Sequence, residues 1–227
     1  MPISAKALQS LARFPVTDLA FAIARNAVAR EAQLKRFLRF VPNSSYQTTR
    51  NAVGVIYGVE LPLAPAPTMT WAAIKTQITA LAKPKDVARN LEASQSLFDL
   101  IRPLGYQAYP HEQQTLKVGT GRVVPIDIRQ YVVDGDRLIF QYVHPRREWP
   151  DEHALVALAS IVHHAYATGD FAHAEFELVD LSCNNSKART PCIRQVSRAD
   201  ILGRDELRLR IEEIYGLLLQ LAEDEGS

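Results

Sequence analysis

Five of the six histidines in this 227-residue chain, and both of its cysteines, lie between His144 and Cys192. Imidazole and thiolate are the usual ligands of zinc and related metals, so a metal or catalytic centre would be sought here first. Helical geometry argues against the simplest version. Leu155, Leu158, Val162 and Tyr166 share one face of a helix predicted over 151–167, and that face is the apolar one. His153, Ser160 and His164 then fall on the opposite, solvent face. His153 and His164 stand about 16 Å apart along the axis, at about 1.5 Å per residue, too far to share an ion. His163 and His164 diverge by about 100°. Neither an HExxH signature nor a CxxC pair is present, and no metal site is expected. Cys183 and Cys192 stand opposite each other if 184–190 closes a hairpin about Lys187. A cross-strand separation of roughly 4.5–5.5 Å is a little long for an unstrained bridge, so the pair reads as two reduced, small apolar side chains with a redox switch as the alternative.

A second grouping comes from the strands predicted over 122–133 and 137–144, joined at Asp134-Gly135, a strong hairpin signal. Pairing Val133 with Asp136 puts Asp127, Arg129, Tyr142 and His144 on one sheet face. Ile126, Ile128, Ile139 and Val143 then form the other face, which reads as core. The strand end continues as Arg146 and Arg147 before Trp149, and a basic run with aromatic neighbours can hold phosphates or stack a base. Arg36, Arg39 and Arg50 add cations from the N-terminal helices. There the turn at 42–45, followed by the polar residues 47–51, imitates a helix-turn-helix reader. The candidate binding set is therefore Arg36, Arg39, Arg50, Arg129, Tyr142, His144, Arg146 and Arg147.

The catalytic alternative uses carboxylates. Asp127 with Glu177 or Asp180, and a further acid from Glu92, can form a divalent-metal site that activates water for phosphodiester hydrolysis. The order helix, hairpin, helix, strand loosely resembles restriction-endonuclease-like folds, which implies such an activity. That motif places a lysine two residues after the second acid, and here Val179 follows Glu177 and Ser182 follows Asp180. A divalent metal is expected only under this nuclease alternative, and otherwise no cofactor. P-loop, dinucleotide and serine-hydrolase signatures are absent.

These groups need elements to position them. Helices are predicted over 4–13, over 17–40 with Thr17 as cap, and over 46–57 ending at Gly58. Residues 61–69 hold Pro62, Pro65 and Pro67 and read as a linker. Thr70 caps a helix to 82, and another runs over 86–101. Strands over 174–183 and 191–197 form a second hairpin, and a helix over 204–222 closes the chain. The fold class is α+β: a helical N-terminal part, then a mainly antiparallel or mixed sheet of two hairpins flanked by helices. The organisation is a basic helical segment, 1–60, the linker 61–69, and an α+β domain, 70–227, with which the N-terminal helices can form one unit.

The chain is 47% hydrophobic and carries a formal net charge of +1, so it can bury a core and advertises neither a nucleic-acid nor a membrane partner as a whole. Residues 1–60 carry eight basic against three acidic residues, and residues 199–227 the reverse, balances of +5 and −5 that can attract each other. No apolar run of membrane-spanning length occurs, the N-terminus lacks signal-peptide features, and two cysteines build no disulfide framework, which together point to a cytoplasmic protein. Leu207, Ile211, Ile214 and Leu218 make one stripe of the last helix, and Leu209, Leu217 and Leu219 widen it enough to invite the domain core or a second subunit. Charge segregation without a catalytic motif favours a non-catalytic macromolecule-binding or regulatory module. The expected partner is a protein or a nucleic acid, and a homo-oligomer through the last helix is the third reading.

Overall fold

The computed structural model describes residues 14–39, 46–59, 70–118, 122–183 and 188–224. It contains helices α1 (Val16–Ala24), α2 (Ala27–Arg39), α3 (Gln47–Tyr57), α4 (Trp71–Leu81), α5 (Val87–Ile101), α6 (Glu152–Tyr166) and α7 (Arg204–Asp224). The strands are β1 (Gln107–Pro110), β2 (Thr115–Val118), β3 (Arg122–Pro125), β4 (Gln130–Asp134), β5 (Arg137–His144), β6 (Glu175–Asp180) and β7 (Cys192–Gln195). The main sheet has the order β1-β4-β5-β6-β7, and β2-β3 form a separate ribbon. All pairs are antiparallel except β5–β6, which run parallel because α6 carries the chain back between them. The fold is thus α+β with a helical N-terminal part and a mixed sheet. The predicted helix over 4–13 and the linker 61–69 lie outside the described residues.

β5 divides the molecule. Its Phe140 and Tyr142 enter one core with α1, α2, α6, α7 and the β2–β3 ribbon, while Ile139 and Val143 enter another with α3, α4 and α5. Strand alternation forces this division, because successive side chains leave on opposite faces and both faces are covered. Among the described residues no helix is long and apolar enough to cross a membrane.

Several local expectations are corrected. The single helix over 17–40 is two helices, broken where Arg25 is extended (φ −77°, ψ 152°). Asn26 supplies the cap for α2 by accepting from the Ala29 amide at 3.0 Å. Arg30 meets the freed α1 carbonyls of Ala22 at 2.9 Å and Arg25 at 3.2 Å. Thr17 is no cap: it lies inside α1, buried, with its Oγ1 2.8 Å from the Tyr142 hydroxyl.

The strand predicted over 122–133 is also two. β3 pairs with β2, and residues 126–129 leave regular structure before β4 begins. The hairpin turn is Gly135-Asp136, so Asp134 faces Arg137 and Val133 faces Leu138 rather than Asp136. Gly135 supplies the positive φ (63°) at the first central position of the turn, and this places the loop one residue later than expected. Ile126 and Ile128 consequently belong to the Phe140 core, not to the Ile139–Val143 face.

In the second hairpin Cys192 faces Asp180, so Cys183 lies beyond the paired residues, and the two cysteines form no disulfide. The supposed solvent face of α6 is covered in part. Ser160 is fully buried and accepts from the Leu202 amide at 2.9 Å, and His164 Nε2 bonds the Leu202 carbonyl at 2.8 Å, because the segment before α7 crosses there. The α7 stripe Leu207, Ile211, Ile214 and Leu218 is buried in its own chain's core, and of its wider set Leu209 stays exposed. The opposite-charge ends do meet: Arg30 of α2 and Glu213 of α7 form an ion pair of 2.6 Å.

The α3–α5 pair is locked by a buried polar knot. Asn90 Oδ1 accepts from the Thr49 amide and hydroxyl, both at 2.9 Å, and its Nδ2 donates to the Asp86 carbonyl at 2.8 Å. Asn90→Ala leaves the Thr49 amide unpaired out of water and its hydroxyl with only the longer contacts to the Asn90 carbonyl and Ser94, both 3.3 Å, and we expect a loss of about 2 kcal/mol in unfolding free energy. Urea denaturation of the two proteins, with equal m-values, checks this.

Candidate binding cleft

The middle of α3, just after the Thr49–Asn90 knot, faces the irregular stretch 127–129 and the end of β5 across a cleft of about 200 Å³. Its walls include Arg50, Asn51 and Gly54 from α3, Asp127 and Arg129 from the stretch, and Gln141 from β5. The stretch is pinned from the far side by Tyr166 of α6. Its hydroxyl donates to the Ile128 carbonyl at 2.7 Å and accepts from the Gln114 amide at 3.1 Å. With Ile126 and Ile128 drawn inward, the alternate residues Asp127 and Arg129 turn outward into an ion pair of 3.0 Å. Among the described residues Arg50 has no carboxylate partner, although it is only partly exposed. Of the residues singled out from sequence, Arg50, Asp127, Arg129 and Tyr142 line this one cleft.

At the basic strand end Arg146 is turned inward, while Arg147 stays on the surface in an ion pair. Arg146 makes a two-pronged pair with Asp18 of α1 at 2.6 and 2.8 Å, and Arg147 reaches Glu92 of α5 at 2.7 Å. His144 is buried, edge-on to Phe21 of α1, with its Nε2 2.8 Å from the Glu148 carbonyl. That contact makes Nε2 the protonated nitrogen, and Nδ1 is left buried with no partner. Together with Thr17–Tyr142 these contacts form a polar seam fastening α1 to β5. Arg36 and Arg39 are exposed on α2, which packs on α1 and α7 and lines no part of the cleft.

Of the carboxylates proposed for a nuclease, Glu177 and Asp180 do not share a face. Gln141 pairs with Glu177 and His144 with Asp180 along β5–β6, so Glu177 and Asp180 leave opposite faces of the sheet. Glu177 is 1% exposed and is met by Gln141 at 2.6 Å, Gln195 at 2.8 Å and Arg137 at 3.1 Å. Asp180 accepts from the Ser182 amide at 3.0 Å and lies 3.4 Å from Arg194. Among the described residues no group of three His, Cys, Asp or Glu side chains is placed to hold a metal ion.

Sequence reasoning missed Gln141 and its neighbours. Gln130 and Gln141 lie on the face that also holds Val132, Ile139 and Val143, and continue across the sheet as Glu177 and Gln195. The available signal was one amide in the otherwise apolar and aromatic run Leu138–Val143, a polar residue where a buried strand has no free place for one.

Over residues 17–225 the chain matches the family described as "Sliding clamp-binding bacterial toxin SocB". The chain belongs to this SocB family. It is also 24% identical over 220 residues to the "DNA replication inhibitor toxin SocB" of Caulobacter vibrioides (strain NA1000 / CB15N), covering 94% of this chain and 93% of that protein. No solved structure matches the chain. The SocB match runs from the second residue of α1 through the end of α7, so the cleft and the seam both lie inside it. SocB is a macromolecule-binding family, the class that charge segregation without a catalytic motif favours.

The seam carries a pH dependence. Burial pushes the His144 imidazole down to about 4; the Glu148 carbonyl and the Asp180 carboxylate pull the other way, and Arg146 and Arg50 lower it further. The unfolded chain, with an ordinary value near 6.5, binds the proton first, so stability is complete above about 6.5 and falls as pH drops towards about 4. The size is of order 3 kcal/mol. Thermal melts between pH 7 and pH 4 should show this fall. In His144→Gln, which keeps a donor but no titrating ring, the part due to this residue should vanish.

Proposed function

We propose that this protein binds a bacterial replication sliding clamp and inhibits DNA replication by occupying it. The observation that carries the reading is the end-to-end SocB match, which covers every described helix and strand and not one module alone. The relative in Caulobacter vibrioides, similar over nearly its whole length, is named a DNA replication inhibitor. The architecture supports a binding role. The carboxylates at the sheet centre are consumed by arginines and amides, while Arg36 and Arg39 are exposed on α2 and Arg50 and Arg129 line the cleft. In this reading those four form the partner-facing set, whereas His144 and Arg146 hold α1 in place.

The test is direct. Purified protein, titrated onto the immobilised sliding clamp of its own host, should bind saturably, and its induction in that host should stop incorporation of labelled thymidine. Arg36→Glu with Arg39→Glu should weaken clamp binding at least fivefold without shifting the melting temperature. No clamp binding at low ionic strength, where charge contacts are strongest, defeats the proposal.

A further inference from the structure

We propose that the α3–β5 cleft captures the free carboxylate end of a peptide whose last residue is aliphatic. The cleft shares Arg50 and Arg129 with the proposed clamp-facing set, but peptide capture and clamp binding are read by separate experiments, so each can fail while the other holds.

Three observations define the ligand. The first is charge. The lining holds two guanidinium groups, Arg50 and Arg129, and one carboxylate, Asp127, a local balance of +1. Arg129 is engaged by Asp127 at 3.0 Å, and Arg50 has no such partner among the described residues. A single carboxylate neutralises that balance, and a guanidinium receives one through paired N–H donors. A phosphate monoester, with nearly twice the charge, would leave the site negative.

The second is an unmet acceptor. Gln141, 5% exposed, gives its Nε2 to Glu177 at 2.6 Å, and its Oε1 is buried with no hydrogen-bond partner. Turning the amide over would set Oε1 against the Glu177 carboxylate, so the orientation is fixed. A buried carbonyl without a donor costs about 1–3 kcal/mol; the oxygen is closed to solvent, so a ligand N–H would relieve this only with a small outward shift of the Gln141 side chain. The terminal residue of a peptide carries an amide N–H next to its carboxylate, so one residue offers both groups.

The third is size and wall chemistry. About 200 Å³ is below the roughly 300–1,000 Å³ of sites that enclose drug-sized ligands, so the cleft takes about one residue and not a long segment. Val53, Val59 and Val143 supply apolar wall for an aliphatic side chain.

Gly54 offers a variant that closes the space without harming the fold. A Cβ there meets Gln130 Oε1 at 3.5 Å and Val59 Cγ2 at 3.6 Å, ordinary contact distances, and alanine is the better helix former. The probes are acetyl-Ala-Leu with a free carboxylate, the same dipeptide as its C-terminal amide, and acetyl-Glu-Leu amide, followed by NMR titration of the full chain with arginine side-chain N–H signals resolved. The free acid should bind saturably and shift the Arg50 signal, with the Leu-amide at least tenfold weaker. Arg50→Gln should abolish binding by at least tenfold. Gly54→Ala should weaken it at least threefold while raising the melting temperature, an outcome that misfolding cannot produce. Equal binding of acid and amide, binding by the acetyl-Glu-Leu amide alone, or no saturable shift with any probe overturns the proposal.

Discussion

Glu177 is a carboxylate held out of water at the centre of the sheet, and its neighbours are arranged to answer it. An ion of this kind costs several kcal/mol unless its oxygens are met by charge and hydrogen bonds. Arg137 and Gln141 arrive from the strand on one side and Gln195 from the strand on the other. Three strands are thereby tied at one level by side chains, in addition to their backbone ladder. The same demand fixes which way the Gln141 amide must point, and so what the neighbouring cleft presents. Tyr57 of α3 lies fully buried near this charge, and burial and Glu177 both raise its hydroxyl pKa, so it stays an uncharged phenol.

Around that level the chain builds two apolar cores on the two faces of β5. One is assembled almost wholly from the middle of the sequence, α3 to α5 with the sheet. The other joins α1 and α2 to α6 and α7, elements more than a hundred residues apart. The polar seam along α1 marks the meeting of these distant parts. Thr17 finds Tyr142 and Asp18 finds Arg146, and both partners come from the end of β5. A helix that is apolar nearly all round, as α1 is, must be enclosed on every side, and the seam settles which way it is turned.

Elements with strong end signals were legible in the sequence. Thr70 accepts from the Ala73 amide and Asp151 from the Ala154 amide, and Gly58 and Gly105 take the positive φ that ends a helix. The hairpin at Asp134-Gly135 was legible as a hairpin but not in register, because either of two positions for the glycine satisfies the same dipeptide. The break between α1 and α2 was hidden, since the apolar spacing runs through it and the deciding contacts are made by Arg30 from the next turn. Part of the cleft was visible as types: Arg50, Asp127, Arg129 and Tyr142 were singled out for chemistry. Their gathering was not, because it depends on Tyr166 pulling 126–128 inward from a helix about forty residues later. The burial of His144 and Arg146 was equally hidden, since it needs α1 to lie across them.

The long reach of the first core has a consequence for synthesis. Phe14 packs edge-on against Phe37 and Tyr215, and Leu221 belongs to the same core. A ribosome emits the chain from its N-terminus at about 5–20 residues per second, so α1 is exposed for on the order of ten seconds or more before α7 can emerge to cover it. During that interval α6 emerges before β6, so α1 gains its main packing face before Val179 and Leu181 arrive to close the α3–α5 core, but the side of the first core that α7 fills stays open. Each newly made molecule therefore passes through a half-built state in which the first core lacks its last wall and Phe14 lacks Tyr215. The last helix to be made is therefore also the one that completes that core.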